Sequence, residues 1–100
     1  MNNDLRKLTG VVIDPGHGGV DSGAVGNNQY EKNYTLKISQ YMYDRLKELG
    51  IPVTLTRDQD ITLTPTERVN RILSAYGNDP NVIVISNHLN SGGERFTYHC

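Results

Sequence analysis

Val11-Val12-Ile13-Asp14-Pro15-Gly16-His17-Gly18-Gly19 runs an apolar strand straight into a glycine turn that presents one histidine. Asn81-Val82-Ile83-Val84-Ile85-Ser86-Asn87-His88 repeats the design, with a second apolar strand that delivers a histidine at its C-terminal end. Open α/β sheets place their chemistry at the C-terminal ends of strands. Two histidines so delivered are candidates for a single site.

The intervening sequence decides how the strands are connected. After the glycine turn, a polar loop continues through Gly23, Gly26, Asn27 and Asn28 and reads as long and exposed. From Glu31 the period changes. Ile38, Met42, Arg45/Leu46 and Leu49 recur at helical spacing and Gly50 follows as a stop, so a helix is expected over about 31–49. Ile51 to Arg57 reads as a β-branched strand, with Pro52 near its start where a missing N–H is tolerated. Thr64-Pro65-Thr66-Glu67 then carries a helix start: an N-cap threonine, proline at N1 and glutamate at N3. Val69, Ile72, Leu73 and Tyr76 follow at i, i+3, i+4 and i+7, and Gly77 closes that helix. Four consecutive apolar residues, Val82 to Ile85, suit a strand covered on both faces. The fold class expected is α/β: three layers, with a mostly parallel twisted sheet flanked by helices. Only two helices serve three or four strands, so one sheet face is expected to be poorly covered and the domain to be truncated.

Composition narrows the partners. One hundred residues make one domain at most. Ten basic and 11 acidic residues give a net charge of -1, without the basic run that nucleic acid requires. No segment approaches the roughly 18 apolar residues that span a bilayer, and Met1 to Leu8 has no secretory apolar region. The expectation is a monomer that neither binds nucleic acid nor inserts into a membrane. The single cysteine, Cys100, has no internal partner, so the fold does not depend on a disulfide.

Zinc is commonly held by imidazole nitrogen and carboxylate oxygen, and two histidines with one glutamate form a known catalytic set. His17 and His88 are candidates, and Glu31 opens the first helix 14 positions after His17 and 57 before His88. A carboxylate at a helix N-terminus is kept ionised by the helix dipole, as a ligand must be. Asp14 and Asp21 compete with it. A phosphate cradle is the rival reading of the glycine loop, but neither G-x-G-x-x-G nor G-K-[ST] is present. Tyr34, Tyr41 and Tyr43 do not share one helix face, so they read as cover for the helix's boundary with the core rather than a sugar platform. Arg57 and Arg68 read as structural, and His99, beside Cys100, has no assigned role.

Five stretches in order carry a resemblance: Val12 to Gly19, Asp21-Ser22-Gly23-Ala24, Tyr30-Glu31-Lys32, Thr56-Arg57 and Ser86-Asn87-His88-Leu89-Asn90. Together they resemble the zinc-dependent N-acetylmuramoyl-L-alanine amidases of the type 3 family, over about residues 10–93. The resemblance implies a Zn2+ cofactor on His17, Glu31 and His88, with peptidoglycan (muramoyl peptide) as partner. It also implies cleavage of the amide between N-acetylmuramic acid and the L-alanine of the stem peptide. Asn90 is a candidate for orienting substrate, with satisfaction of loop backbone as the alternative.

The family's catalytic domain continues for about as long again and supplies a general-base glutamate on a later strand. No residue here matches it, so no catalytic residue is assigned and impaired activity is expected. The alternative is an inactive zinc-binding or muropeptide-binding fragment. Residues 1–9 are expected to form a leader strand or a disordered segment, 10–93 the N-terminal part of the amidase domain, and 94–100 an atypical tail. The lack of a signal peptide fits a phage endolysin or an autolysin freed by lysis, and leaves open an extracellular parent whose leader was removed; each would act on the bacterial cell wall.

Overall fold

The computed structural model describes residues 7–89 in full and the backbone of 96–99. Along the chain run β1 (Gly10–Pro15), β2 (Val25–Gly26), β3 (Gln29–Tyr30), α1 (Glu31–Glu48), β4 (Val53–Leu55), α2 (Pro65–Tyr76), β5 (Val82–Leu89) and β6 (Phe96–His99). The main sheet has the order β4-β1-β5-β6. β1 pairs in parallel with both β4 and β5, whereas β6 returns antiparallel along β5. This is the expected α/β arrangement with a mostly parallel sheet.

All six residues of β1 are buried, as the central strand of a parallel sheet requires. Successive side chains point to opposite faces. Val11 and Ile13 join Ile51 and Val53 in the core under Met42, Tyr43 and Leu46 of α1. On the opposite face, the Tyr76 ring of α2 lies over the bare α-carbon of Gly10, where a Cβ would come within 2.5 Å of it, and Thr54 donates a hydrogen bond to the Tyr76 hydroxyl at 2.9 Å. The start of α2 is as its sequence predicts: Thr64 Oγ1 accepts Glu67 N–H at 3.1 Å, and Glu67 Oε1 accepts Thr64 N–H at 2.8 Å.

Four expectations need correction. The strand expected over Ile51 to Arg57 is regular only at Val53–Leu55. Val82 to Ile85 are not covered on both faces: none is buried and Ile83 is 37% exposed, because α1 reaches β5 whereas α2 packs chiefly on β1. The glycine-rich loop contains a small antiparallel hairpin, β2–β3, turning through Asn27 and Asn28, both with positive φ. Asparagine tolerates that conformation better than most residues. Finally, Tyr34 and Tyr41 are exposed, and only Tyr43 packs against the core.

The hairpin has a structural task. Tyr30 provides no side-chain cap for α1, so the first helical N–H groups find loop carbonyls instead. Glu31 N–H donates to Ala24 O at 2.9 Å and Lys32 N–H to Ser22 O at 3.0 Å. The buried stripe of α1 is Glu31, Thr35 and Ser39, polar residues spaced i, i+4, i+8. Their small or hydrogen-bonded side chains let the helix approach the loop after β1. Thr35 Oγ1 donates to Gly16 O at 2.8 Å, and Asn87 Nδ2 donates to Ser39 Oγ at 2.8 Å.

The segment expected as a leader is described only from residue 7, where Thr9 N–H donates to Asn81 O. In the expected tail, β6 continues the sheet through residues 96–99.

Candidate metal centre

The parallel pairing of β1 with β5 places Pro15 opposite Asn87, so both strands deliver their next residues to the same edge. His17 stands two residues beyond Pro15 with φ of 63°, a left-handed conformation that turns it back over the strand end. His88 lies on β5 itself. Gly16 makes their approach possible, because a Cβ there would lie 2.6 Å from the His88 ring and 2.7 Å from Asn87 O.

Glu31 comes to the same point from α1. His17 Nε2 is 3.1 Å and His88 Nδ1 is 3.5 Å from Glu31 Oε2, and the two ring nitrogens are 3.3 Å apart. The rings meet edge to face, 88° apart. His17, Glu31 and His88 thus form a group whose ligand atoms converge within 4.8 Å and could hold a metal ion.

Glu31 is 4% exposed, yet both of its oxygens are bound. Oε1 accepts Ala24 N–H at 2.9 Å and Oε2 accepts Leu89 N–H at 2.8 Å. Burial by itself would raise its pKa, but these N–H groups and the two histidines outweigh burial and hold it below the ordinary carboxylate value. His88 is shifted down, first by burial and then by His17, with Glu31 opposing. An ionised carboxylate beside a neutral imidazole is the protonation state that metal ligands require.

Asp21, read from sequence as a competing ligand, has a different place. Its Oδ2 lies 2.9 Å from His17 Nδ1, and its Oδ1 accepts Gly23 N–H at 3.1 Å. The hydrogen bond to His17 is the main reason its pKa is lowered. In the tautomer that donates Nδ1–H to Asp21, the Nε2 lone pair of His17 faces Glu31 and His88. Carboxylates orient ligating histidines in this way. Asp14, the other competing acid, is held away: Oδ1 accepts from Thr56 and Arg68, each at 2.7 Å, and Oδ2 from Ser86 at 2.9 Å.

Asn90 lies outside the described residues, as do the His99 side chain and Cys100. Sequence reasoning understated Arg57 and Arg68, which both reach backbone carbonyls of the His17 loop. Each follows a recognisable local signal, the end of a strand and the first turns of a helix, but neither signal says what the guanidinium touches.

A sequence model of the N-acetylmuramoyl-L-alanine amidase family matches residues 11–97. The germination-specific N-acetylmuramoyl-L-alanine amidase of Bacillus subtilis is 35% identical in an alignment covering 97% of this chain and 51% of that relative. YqiI, also of Bacillus subtilis, is 46% identical over 82% of this chain and 38% of its own length. Among solved structures, the amidase AmiC2 of Nostoc punctiforme superposes with a TM-score of 0.73 at 38% identity, covering 89% of this chain and 47% of AmiC2. The chain therefore spans about half the length of these proteins, or less.

Proposed function

The chain belongs to the N-acetylmuramoyl-L-alanine amidase family, and from that membership we propose that His17, Glu31 and His88 bind one zinc ion for peptidoglycan hydrolysis. The bond cut is the amide between N-acetylmuramic acid and the L-alanine of the stem peptide. The observation that carries this reading is the convergence of two imidazole nitrogens and one buried carboxylate oxygen.

The donor set fits zinc. Tetrahedral zinc with bonds of about 2.0–2.1 Å separates its ligand atoms by roughly 3.3 Å. The three separations in this site are 3.1, 3.3 and 3.5 Å. Three protein ligands also leave the open position typical of catalytic zinc. Held by these three residues, zinc would supply Lewis acidity toward a carbonyl and would acidify water toward a pKa of about 7.

The chain's own residues hold and orient. Ala24 and Leu89 N–H groups fix the Glu31 carboxylate, and Asp21 fixes the His17 ring. Proton transfer is less well provided. Among the described residues, the carboxylates at the site are committed: both Glu31 oxygens accept backbone N–H groups, and Asp21 is shared between His17 and Gly23. A general base contributes about 10²–10⁴-fold. Because the carboxylates at the site among the described residues are so committed, we expect impaired hydrolysis, and the second reading, a zinc-binding fragment that binds muropeptide without cutting it, rests on the same commitment. Either role acts at the cell wall, whether in an autolysin or an endolysin, and no helix among the described residues is long and apolar enough to cross a membrane.

The test is digestion of purified peptidoglycan by the zinc-loaded chain, with products sorted by mass spectrometry for stem peptides that begin in free L-alanine. Chelator-sensitive release supports the amidase reading. Zinc-dependent sedimentation with the wall but no release supports the binding fragment, and neither release nor sedimentation contradicts both.

A further inference from the structure

The loop that carries His17 is held by two arginines that the metal reading leaves without a role. Three successive carbonyls, those of Pro15, Gly16 and His17, each accept a guanidinium N–H. Arg68 Nη1 donates to Pro15 O at 2.8 Å and Nη2 to His17 O at 3.1 Å. Arg57 Nη2 donates to Gly16 O at 2.8 Å. The same Nη2 lies 3.1 Å from Lys32 O and 3.3 Å from Thr35 Oγ1, both in the first turns of α1. One guanidinium therefore touches both the loop that presents His17 and the helix that presents Glu31.

Neither arginine is an economical way to stabilise a fold. Arg57 is 2% exposed, and its Nε has no hydrogen-bond partner. Burying a guanidinium is costly unless every donor is used, and apolar replacements are often better for stability alone. The planar fork nevertheless suits a particular geometric task, which is to bind two carbonyl groups at fixed separation and angle. The backbone being held needs such a device. Among the described residues, His17 is one of three non-glycine residues with positive φ, and the other two, Asn27 and Asn28, form the hairpin turn.

We infer that Arg57 and Arg68 are positioning residues for the metal centre: their guanidinium groups clamp the Pro15, Gly16 and His17 carbonyls and hold His17 in the left-handed backbone that aims its ring at Glu31 and His88. Arg68 is further fixed by Asp14, which accepts its Nη1 at 2.7 Å. The sheet thereby sets the position of the loop: Asp14 on β1 holds Arg68, and Arg68 holds the Pro15 and His17 carbonyls on either side of the one held by Arg57. This inference rests on the zinc reading of His17, Glu31 and His88.

The test uses the whole chain with Arg57→Lys and Arg68→Lys, which keep the charge but cannot reproduce the fork. Val12→Ala, in the sheet core away from the loop, serves as a control for lost stability. Zinc affinity is measured by competition with a chromophoric chelator, and the visible absorption of the cobalt(II)-substituted protein reports ligand geometry. The expected result is a fall in zinc affinity of about 10–100-fold, as for other residues that orient metal ligands, with an altered cobalt spectrum in each arginine variant. Val12→Ala should keep the wild-type spectrum at an equal or larger loss of thermal midpoint. Should Arg57→Lys fail to fold, Arg68→Lys, at the more accessible of the two positions, decides alone. Wild-type affinity and spectrum in a folded Arg68→Lys, or losses no greater than in Val12→Ala at matched stability, overturn the positioning role while leaving the zinc reading intact. A wild-type chain that binds neither metal overturns the zinc reading, and the inference with it.

Discussion

Leu89 N–H donates to Glu31 Oε2 at 2.8 Å across 58 positions of sequence. The backbone next to His88 therefore fixes the acid that opens α1, and two of the three candidate ligands are tied to one another before any ion is bound. Glu31→Gln tests this tie. The amide keeps the side chain's shape, but one of its two ends must present N–H groups toward a backbone donor, either Ala24 or Leu89. Chemical denaturation should show a loss of about 1–3 kcal/mol, the cost of a buried group left without its partner, together with loss of metal binding.

Asp21→Ala should separate site from scaffold. The Asp21 side chain is 61% exposed, so stability should change by about 0.5 kcal/mol or less. Zinc affinity should nevertheless fall about 10–100-fold, because the His17 ring loses the group that sets its tautomer. Isothermal titration against a competing chelator checks both the size and the direction.

Gly23→Ala should damage the centre through space and through the backbone. Gly23 has φ of +69°, and a Cβ there would lie 2.7 Å from both Glu31 Oε1 and His17 Cδ2. The left-handed conformation alone costs an L-residue about 1–2 kcal/mol. Urea denaturation should show at least that loss, and metal titration should show weakened binding in whatever fraction remains folded.

The metal-free protein should lose stability in two stages as pH falls. His88 has a folded pKa below its ordinary 6.5, so the unfolded chain binds more protons between those two values. The stability this contributes is present above 6.5 and is lost as pH falls through the folded value. Glu31 is likewise held below its ordinary 4.5, so its contribution is present above 4.5 and is lost as pH falls through the lower folded value. Thermal midpoints measured against pH in chelator should fall in both windows, and His88→Gln should remove the upper decline.

What could be read from the sequence was set by local chemistry. Thr64, Pro65 and Glu67 announce the start of α2 because a capping box involves only residues three apart. His17 and His88 could be placed together because parallel strands bring their C-terminal ends to one edge. Glu31 is legible as a helix opener, and the family resemblance names His17 and His88 as its partners. The hairpin at Val25–Tyr30 was missed although Asn27-Asn28 marks a tight turn, since strands of two residues leave no alternating pattern. The buried polar stripe Glu31, Thr35 and Ser39 is hidden for a related reason: apolar periodicity marks a helix's core face, whereas the close approach of α1 to the loop depends on small or hydrogen-bonded polar side chains. Asp21 and Arg57 act through contacts with ring and carbonyl groups whose positions only the tertiary fold determines.

The most direct measurement is the zinc content of the purified wild-type chain and of His88→Ala after equilibration with zinc and removal of excess metal. The account predicts about one zinc per wild-type chain, as expected for a three-ligand site, and its loss from the folded variant. A folded wild-type chain without zinc, or a His88→Ala chain that retains it in full, would contradict the account.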